Sequence, residues 1–234
     1  MNNSDIHNNL QRIQQNLSEC CHSIQRKEDS VTLITVSKTQ PVSALMEAYE
    51  FGCRDFGENK VQELTSKYEE MPKDVKWHMI GHLQRNKIKY IIDKVALIHS
   101  VDSYRLAEAI SHEACAKSLC IKILIEVNIA GEESKFGVKP NETENLIRQI
   151  SLLPGVMIHG LMTIAPYVEN PEENRQYFAM LKNLSVDIAR KNIDNVYMNV
   201  LSMGMTGDYM VAIEEGSNCV RIGTGIFGER KYQI

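Results

Sequence analysis

The feature that most constrains this chain is a regular alternation of two periodicities. Short runs rich in apolar and β-branched residues each give way to a stretch with helical spacing, about eight times over. The strand-like runs are "VTLITVSK" (31–38), "CRDFGEN" (53–59), "VKWHMIG" (75–81), "VALIHSVD" (95–102), "IKILIEVN" (121–128), "GVMIHGLMT" (155–163), "VYMNVLSMG" (196–204) and "CVRIGTGIFG" (219–228). Between them, Pro41 opens a helix that stops at Gly52, and helical spacing returns over 60–70, 83–93, 103–117 and 141–153. Asn170–Pro171 starts a long helix through Phe178, Leu181, Leu184 and Ile188, and "DYMVAIEEG" forms a short one ending at Gly216. Such alternation implies a parallel sheet, because parallel neighbours need crossover connections.

Eight units in 234 residues fit a closed α/β barrel, the (β/α)8 or TIM barrel, better than an open sheet. The open, doubly wound sheet is the rival, but no GxGxxG fingerprint follows the first strand. Ile6, Leu10, Ile13, Leu17 and Ile24 predict an extra amphipathic helix within residues 1–27, packed on the barrel. No linker rich in Pro, Gly or Ser interrupts the chain, so one domain over 1–234 is expected.

Composition excludes several functions. Net charge is −4, so a broad nucleic-acid surface is not expected. No apolar run is long enough to span a membrane, and "MNNSDIHNNLQRIQQNL" lacks a signal-peptide core. The six cysteines show no zinc spacing, and reduced thiols in a cytoplasmic protein are the expectation. Cys20 and Cys21 read as the edge of a helix's buried face rather than as a redox pair. His78 and His82 have the i, i+4 spacing of a helical metal pair, but they flank a strand end, so no metal is expected.

Functional groups of a barrel gather at the C-terminal ends of its strands. There this chain places Lys38, Glu58, Asn59, His78 to His82, Asp102, Asn128, Met162, Thr163, Ser202 to Met205 and Arg221 to Thr224. The loops "SMGMTGD" and "RIGTG" follow strands seven and eight, the usual phosphate site of a barrel. Ser202 and Thr224 supply hydroxyls, and Gly204 and Gly223 allow close backbone approach. Lys38 ends an apolar strand; desolvation there favours a neutral, nucleophilic amine. The bland alternative is a strand-end lysine whose head reaches water. A lysine and a phosphate cradle in one barrel mouth point to a phosphorylated aldehyde held as a Schiff base. Pyridoxal 5′-phosphate (PLP) is the obvious candidate, with a sugar-phosphate aldolase as the alternative.

The segments "TVSKTQP", "FGENKVQE", "WHMIGHLQRNK", "GLMTIAP" and "LSMGMTGDYMVAIEEGSNCVRIGTGIFGER" together resemble the pyridoxal phosphate homeostasis proteins, also called proline synthase co-transcribed homologues. The likeness runs in order from about residue 30 to the C-terminus. The resemblance implies a fold similar to the barrel domain of alanine racemases, with Lys38 as the covalent aldimine lysine. It also implies phosphate contacts from Ser202, Gly223 and Thr224, Arg221 at the pyridine nitrogen, Asn59 beside the ring, and Met203 or its neighbours as a wall. An arginine partner keeps that nitrogen unprotonated, so carbanion stabilisation is expected to be weak. An ion pair with Glu214 or Glu229 is the structural alternative for Arg221. The racemases' second domain, which supplies their opposite-face tyrosine, has no counterpart before Ile234. Tyr167, Tyr209 and Tyr232 are candidates to stand in for it, none in a matching motif. Lys135 in "NIAGEESKFGV" reads as a solvated loop lysine, with a second amine near the mouth as the alternative. The expected function is PLP homeostasis without strong catalysis, in a monomer whose candidate recipients are PLP-dependent apo-enzymes. A weak PLP-dependent amino-acid racemase is the alternative.

Overall fold

The computed structural model describes residues 3–228. Helix α1 (Asn3–Ser23) precedes β1 (Thr32–Val36), α2 (Val42–Glu50), β2 (Asp55–Glu58), α3 (Val61–Glu70), β3 (Lys76–Met79) and β4 (Val95–Val101). There follow α4 (Tyr104–Ala116), β5 (Ile121–Glu126), α5 (Pro140–Ile150), β6 (Val156–Met162), α6 (Arg175–Ala189), β7 (Val196–Met205), α7 (Tyr209–Glu214), β8 (Cys219–Ile222) and α8 (Thr224–Phe227). The strands pair in sequence order and β8 closes on β1, every pair parallel, which is the closed eight-stranded barrel expected from the alternation.

Two stretches differ from their sequence reading. The segment 83–93 forms no α-helix; its ordered part is a 3-10 helix at Arg85–Tyr90, with Ile88, Ile91 and Ile92 buried. The apolar run 219–228 is a strand only to Ile222, where the chain turns at Gly223 into α8. Short apolar runs satisfy either period, and here the switch falls inside one run. The Asn170–Pro171 start signal opens a 3-10 turn, Pro171–Asn174, which leads into α6; the Asn170 side chain accepts from the Glu172 N–H at 3.2 Å.

Alternation along the strands separates two cores. Phe56, Trp77, Ile98, Ile123 and Val220 belong to the layer between barrel and helices, which Leu45, Leu64, Ile110 and Phe178 fill from outside. Burying each of the large aromatics stabilises the fold by roughly 2–3 kcal/mol. Inside the barrel lie two small apolar clusters, Ile34–Val36–Ile80–Cys219 and Leu97–Leu124–Met162. Buried polar groups accompany them: His78, His99, Ser202 and Arg221. Helix α1 buries Ile6, Leu10 and Ile13 and packs against α2, α7 and α8. Its Asn9 Nδ2 donates to the Ile226 carbonyl at 3.0 Å. Cys20 and Cys21 are both buried free thiols on this helix.

Candidate functional site

Lys38 lies two residues beyond the end of β1, and Thr39 after it holds a left-handed φ of 64°. A β-branched residue adopts that conformation only when its surroundings hold it there. The Glu63 carboxylate accepts the Thr39 N–H at 2.6 Å. Behind the turn, Lys67 Nζ donates to the Ser37 carbonyl at 2.8 Å and to Glu58 Oε1 at 2.7 Å, and Ser37 Oγ donates to the same Glu58 oxygen at 2.7 Å. This buried clamp fixes the backbone that carries Lys38. Burial raises the Glu58 carboxyl above the ordinary range, against the lowering pull of Lys67 and Ser37.

Pairing of β1 with β8 brings the Gly223 turn beside Lys38. A Cβ on Gly223 would sit 3.2 Å from the Val36 carbonyl and 3.3 Å from Val36 Cβ, so the close approach of the two loops favours glycine. Across from it, Thr206 Oγ1 lies 3.1 Å from Thr224 Oγ1 and accepts the Gly225 N–H at 3.2 Å. Gly204, with φ 92°, lets α7 pack onto β7: a Cβ there would stand 2.6 Å from Ala212 Cβ. Lys38, Asn59, Arg221, Gly223, Thr224 and Thr206 line one cavity of about 590 Å3, walled also by Val36, Ile80, Ala165, Asn174 and Met205. That volume suits a cofactor-sized ligand. A separate cavity of about 610 Å3 beside His82, Arg85 and Asp102 has no lysine in its lining.

Arg221 projects into the barrel from β8 and is 4% exposed. Its Nη1 donates to Ser202 Oγ at 2.5 Å and its Nη2 to the Thr163 carbonyl at 2.8 Å, leaving further N–H groups of the fork for the cavity it lines. The alternative ion pair with Glu214 is not made, because Glu214 pairs with Arg175 at 2.5 Å; Glu229 lies outside the described residues. Two buried amide oxygens on the cavity wall, Asn59 Oδ1 and Asn174 Oδ1, have no partner among the described residues. Asn174 is held by its Nδ2, which donates to the Pro166 carbonyl at 3.0 Å and to Asp208 Oδ2 at 2.8 Å.

Two expected site residues are not on the lining of this cavity. Ser202, expected at the phosphate, is a fully buried strand residue, because β7 continues to Met205; its hydroxyl is engaged by Arg221 and by His99. Met203, expected at the wall, belongs to the outer core, since alternation turns the residue after Ser202 toward the helices. From that loop the cavity receives Met205 and Thr206 instead. Lys135 is not simply solvated: it pairs with Glu132, and its Nζ donates to the Ala165 carbonyl at 3.2 Å on the cavity wall. Tyr209 faces α1, where its hydroxyl accepts from Asn16 Nδ2 at 3.1 Å. Tyr167 stands on the rim and is 95% exposed, and Tyr232 lies outside the described residues. His82 stacks on Phe136 while His78 points into the barrel, so the two do not converge. Glu126, at the end of β5, was not singled out from the sequence beyond its place in a strand. Burial, then the nearby Asp102, pushes its carboxyl up to about 7, with Arg221 opposing.

The model of the alanine racemase N-terminal domain family matches residues 8–231. A curated pyridoxal phosphate homeostasis protein from Aquifex aeolicus is 46% identical over 95% of this chain and 97% of its own length. Its counterpart from Escherichia coli is 35% identical over 98% of each chain. This chain belongs to the pyridoxal phosphate homeostasis protein family. A solved structure of PipY from Synechococcus elongatus PCC7942, with PLP bound, superposes with a TM-score of 0.79 at 35% identity, covering 91% of this chain and all of that one. An alanine racemase from Corynebacterium glutamicum, at 14% identity, shares the fold with a TM-score of 0.72; this chain covers 62% of its length.

The residues present fit such a cofactor. The mouth offers two amines, Lys38 and Lys135, a guanidinium, a cradle with two hydroxyls and a glycine turn, and two amide oxygens without a partner among the described residues.

Proposed function

We propose that this chain binds PLP in the mouth of its barrel and serves intracellular PLP homeostasis without strong catalytic activity. The observation that carries this reading is the shared cavity: Lys38, Arg221 and the Thr206–Gly223–Thr224 cradle line one space. When bound, PLP supplies an aldehyde able to form a Schiff base with an amine and a ring able to accept electrons. Lys38 is the amine, held at the strand end by the Glu58–Lys67 clamp. Thr206, Thr224 and the backbone at Gly223 hold the phosphate, and Asn59 flanks the ring.

Arg221 can only donate hydrogen bonds, so it holds the ring nitrogen as an acceptor and keeps it unprotonated. That limits the ring's power to stabilise negative charge. Strong catalysis also needs a positioned acid or base opposite the lysine. Neither candidate tyrosine among the described residues supplies one, since Tyr209 turns to α1 and Tyr167 stands in solvent. Open access across the rim suits uptake and release, with apo-enzymes as recipients. We place the protein in the cytoplasm as a monomer.

The test is an absorption titration of purified protein with PLP, followed by incubation of the loaded protein with L-amino acids. A visible band that Lys38→Ala abolishes is expected, with no accumulation of D-amino acid. A colourless wild type would overturn the binding site. Sustained formation of the D-enantiomer would establish the racemase alternative instead. Borohydride capture of a sugar phosphate on Lys38, without a PLP band, would establish the aldolase.

A further inference from the structure

A line of buried polar side chains runs down the inside of the barrel from Arg221 to its opposite end. Arg221 Nη1 lies 2.5 Å from Ser202 Oγ, and Ser202 Oγ lies 2.9 Å from His99 Nδ1. His99 Nε2 lies 3.0 Å from His78 Nδ1, and His78 Nε2 lies 3.0 Å from Asp55 Oδ1. His99 is fully buried, and the His78 side chain is 7% exposed. Asp55 and His78 border a second cavity of about 330 Å3 at the N-terminal ends of the strands, together with Lys76, Lys122 and His159.

Donor counting gives this line a direction. Arginine donates only, so Ser202 Oγ accepts from it. Ser202 has one proton left to give, and His99 Nδ1 is the strong acceptor within reach; the other neighbour, the Cys219 thiol, is a weak one. His99 then carries its proton on Nε2 and donates to His78 Nδ1. His78 in turn carries its proton on Nε2 and donates to the Asp55 carboxylate. With Asp55 a carboxylate and both rings neutral, this is the arrangement in which every link has one donor and one acceptor.

We propose that Asp55, His78, His99 and Ser202 form a positioning column that fixes the Arg221 guanidinium at the cofactor site, with every hydrogen bond pointing from Arg221 toward Asp55. Four consequences follow from its chemistry. Both histidines are neutral and share one tautomer. Burial, reinforced by the Arg221 charge, holds His99 well below the ordinary imidazole range, in keeping with its neutrality. The column carries no proton to the mouth, because Arg221 cannot accept one. Its far end gives the buried cation a partly exposed counter-charge, with the Asp55 side chain 21% exposed. The proposal rests on the PLP reading only for what Arg221 faces; the column itself is a property of the protein alone.

The experiment is nitrogen-15 NMR of histidine- and arginine-labelled protein without ligand, at neutral pH. His78 and His99 should both show a protonated Nε2 and an unprotonated Nδ1, and the Arg221 guanidinium protons should exchange slowly. A His99 protonated at Nδ1, or an imidazolium at either position, overturns the column. In His99→Gln, an amide can still accept from Ser202 and donate to His78, so slow Arg221 exchange should persist. In His99→Leu that exchange should quicken by about tenfold or more, the factor that corresponds to roughly 1.4 kcal/mol. Equal protection in both variants overturns the proposal. A separate PLP titration of wild type and His99→Leu reads the cofactor side: weaker binding in the leucine variant alone supports the placement of Arg221 at the ring. A wild type that fails to bind PLP overturns the function proposed above, while the ligand-free spectra still decide the column.

Discussion

Replacing Lys67 by methionine tests how the turn that carries Lys38 is held. The Lys67 and Glu58 side chains are 8% and 0% exposed, 2.7 Å apart. Methionine keeps most of the apolar stem but removes the one charge that, among the described residues, pairs with Glu58 at contact distance. Glu58 would retain the Ser37 hydroxyl at 2.7 Å, while its other oxygen already lacks a partner. Removing one member of a buried ion pair costs roughly 3–5 kcal/mol, because the remaining charge stays desolvated. For a chain of this size about 1 kcal/mol moves Tm by roughly 2–4 °C, so a fall of about 10 °C is expected. The loss should depend on pH in a definite direction. Glu58 already has a raised carboxyl pKa, and losing Lys67 raises it further. A carboxyl raised in the folded state costs nothing while protonated, and its penalty grows as pH rises through the folded value. The deficit of Lys67→Met should therefore be larger near about pH 8 than near about pH 5. Adding Glu58→Gln keeps an acceptor for Ser37 without the charge and should recover most of the loss. Thermal and urea melts followed by circular dichroism decide the matter. A single variant within about 1 kcal/mol of wild type, or a deficit unchanged between the two pH values, refutes the reasoning.

Glu126 gives a second pH signature. Its carboxyl is raised from 4.5 to about 7, so its penalty is absent below the unfolded value and complete above the folded one. Glu126→Gln should therefore stabilise the protein by about 3 kcal/mol at alkaline pH and by little in acid, read from urea midpoints. Thr206→Val keeps the shape but removes the hydroxyl beside Thr224; PLP affinity should fall by roughly tenfold in a fluorescence titration, with the melting temperature little changed. Gly204→Ala places a methyl 2.6 Å from Ala212 Cβ at a φ of 92° and should cost about 2–4 kcal/mol in the same melts.

How much of this was legible in the sequence varies with the physics of each residue. "IKILIEVN" declares a strand buried on both faces, and its neighbours' alternation with helical spacing is enough for the closed barrel. Gly223 and Thr224 were visible because the loop after the last strand has a fixed place in that fold. Ser202 falls outside the lining of the cavity: the motif does not say where β7 ends, and the strand runs to Met205. Thr206 stands in the same loop, just past the end of β7, and its hydroxyl is the sequence signal for its place beside Thr224. The column through His78 and His99 was illegible, because strand alternation says which residues point inward but not which of them meet across the barrel. Asn174 and Tyr167 come from a connection whose course no local pattern dictates.

The central claim is that one amine at the end of β1 holds the cofactor covalently, with its phosphate in the cradle of the last two loops. Borohydride reduction of the PLP-loaded protein, followed by proteolysis and mass mapping, tests it most directly. The account predicts a pyridoxyl group on Lys38 in wild type and no labelled peptide from Lys38→Ala. A label on Lys135, or on any other amine with Lys38 left unmodified, contradicts it.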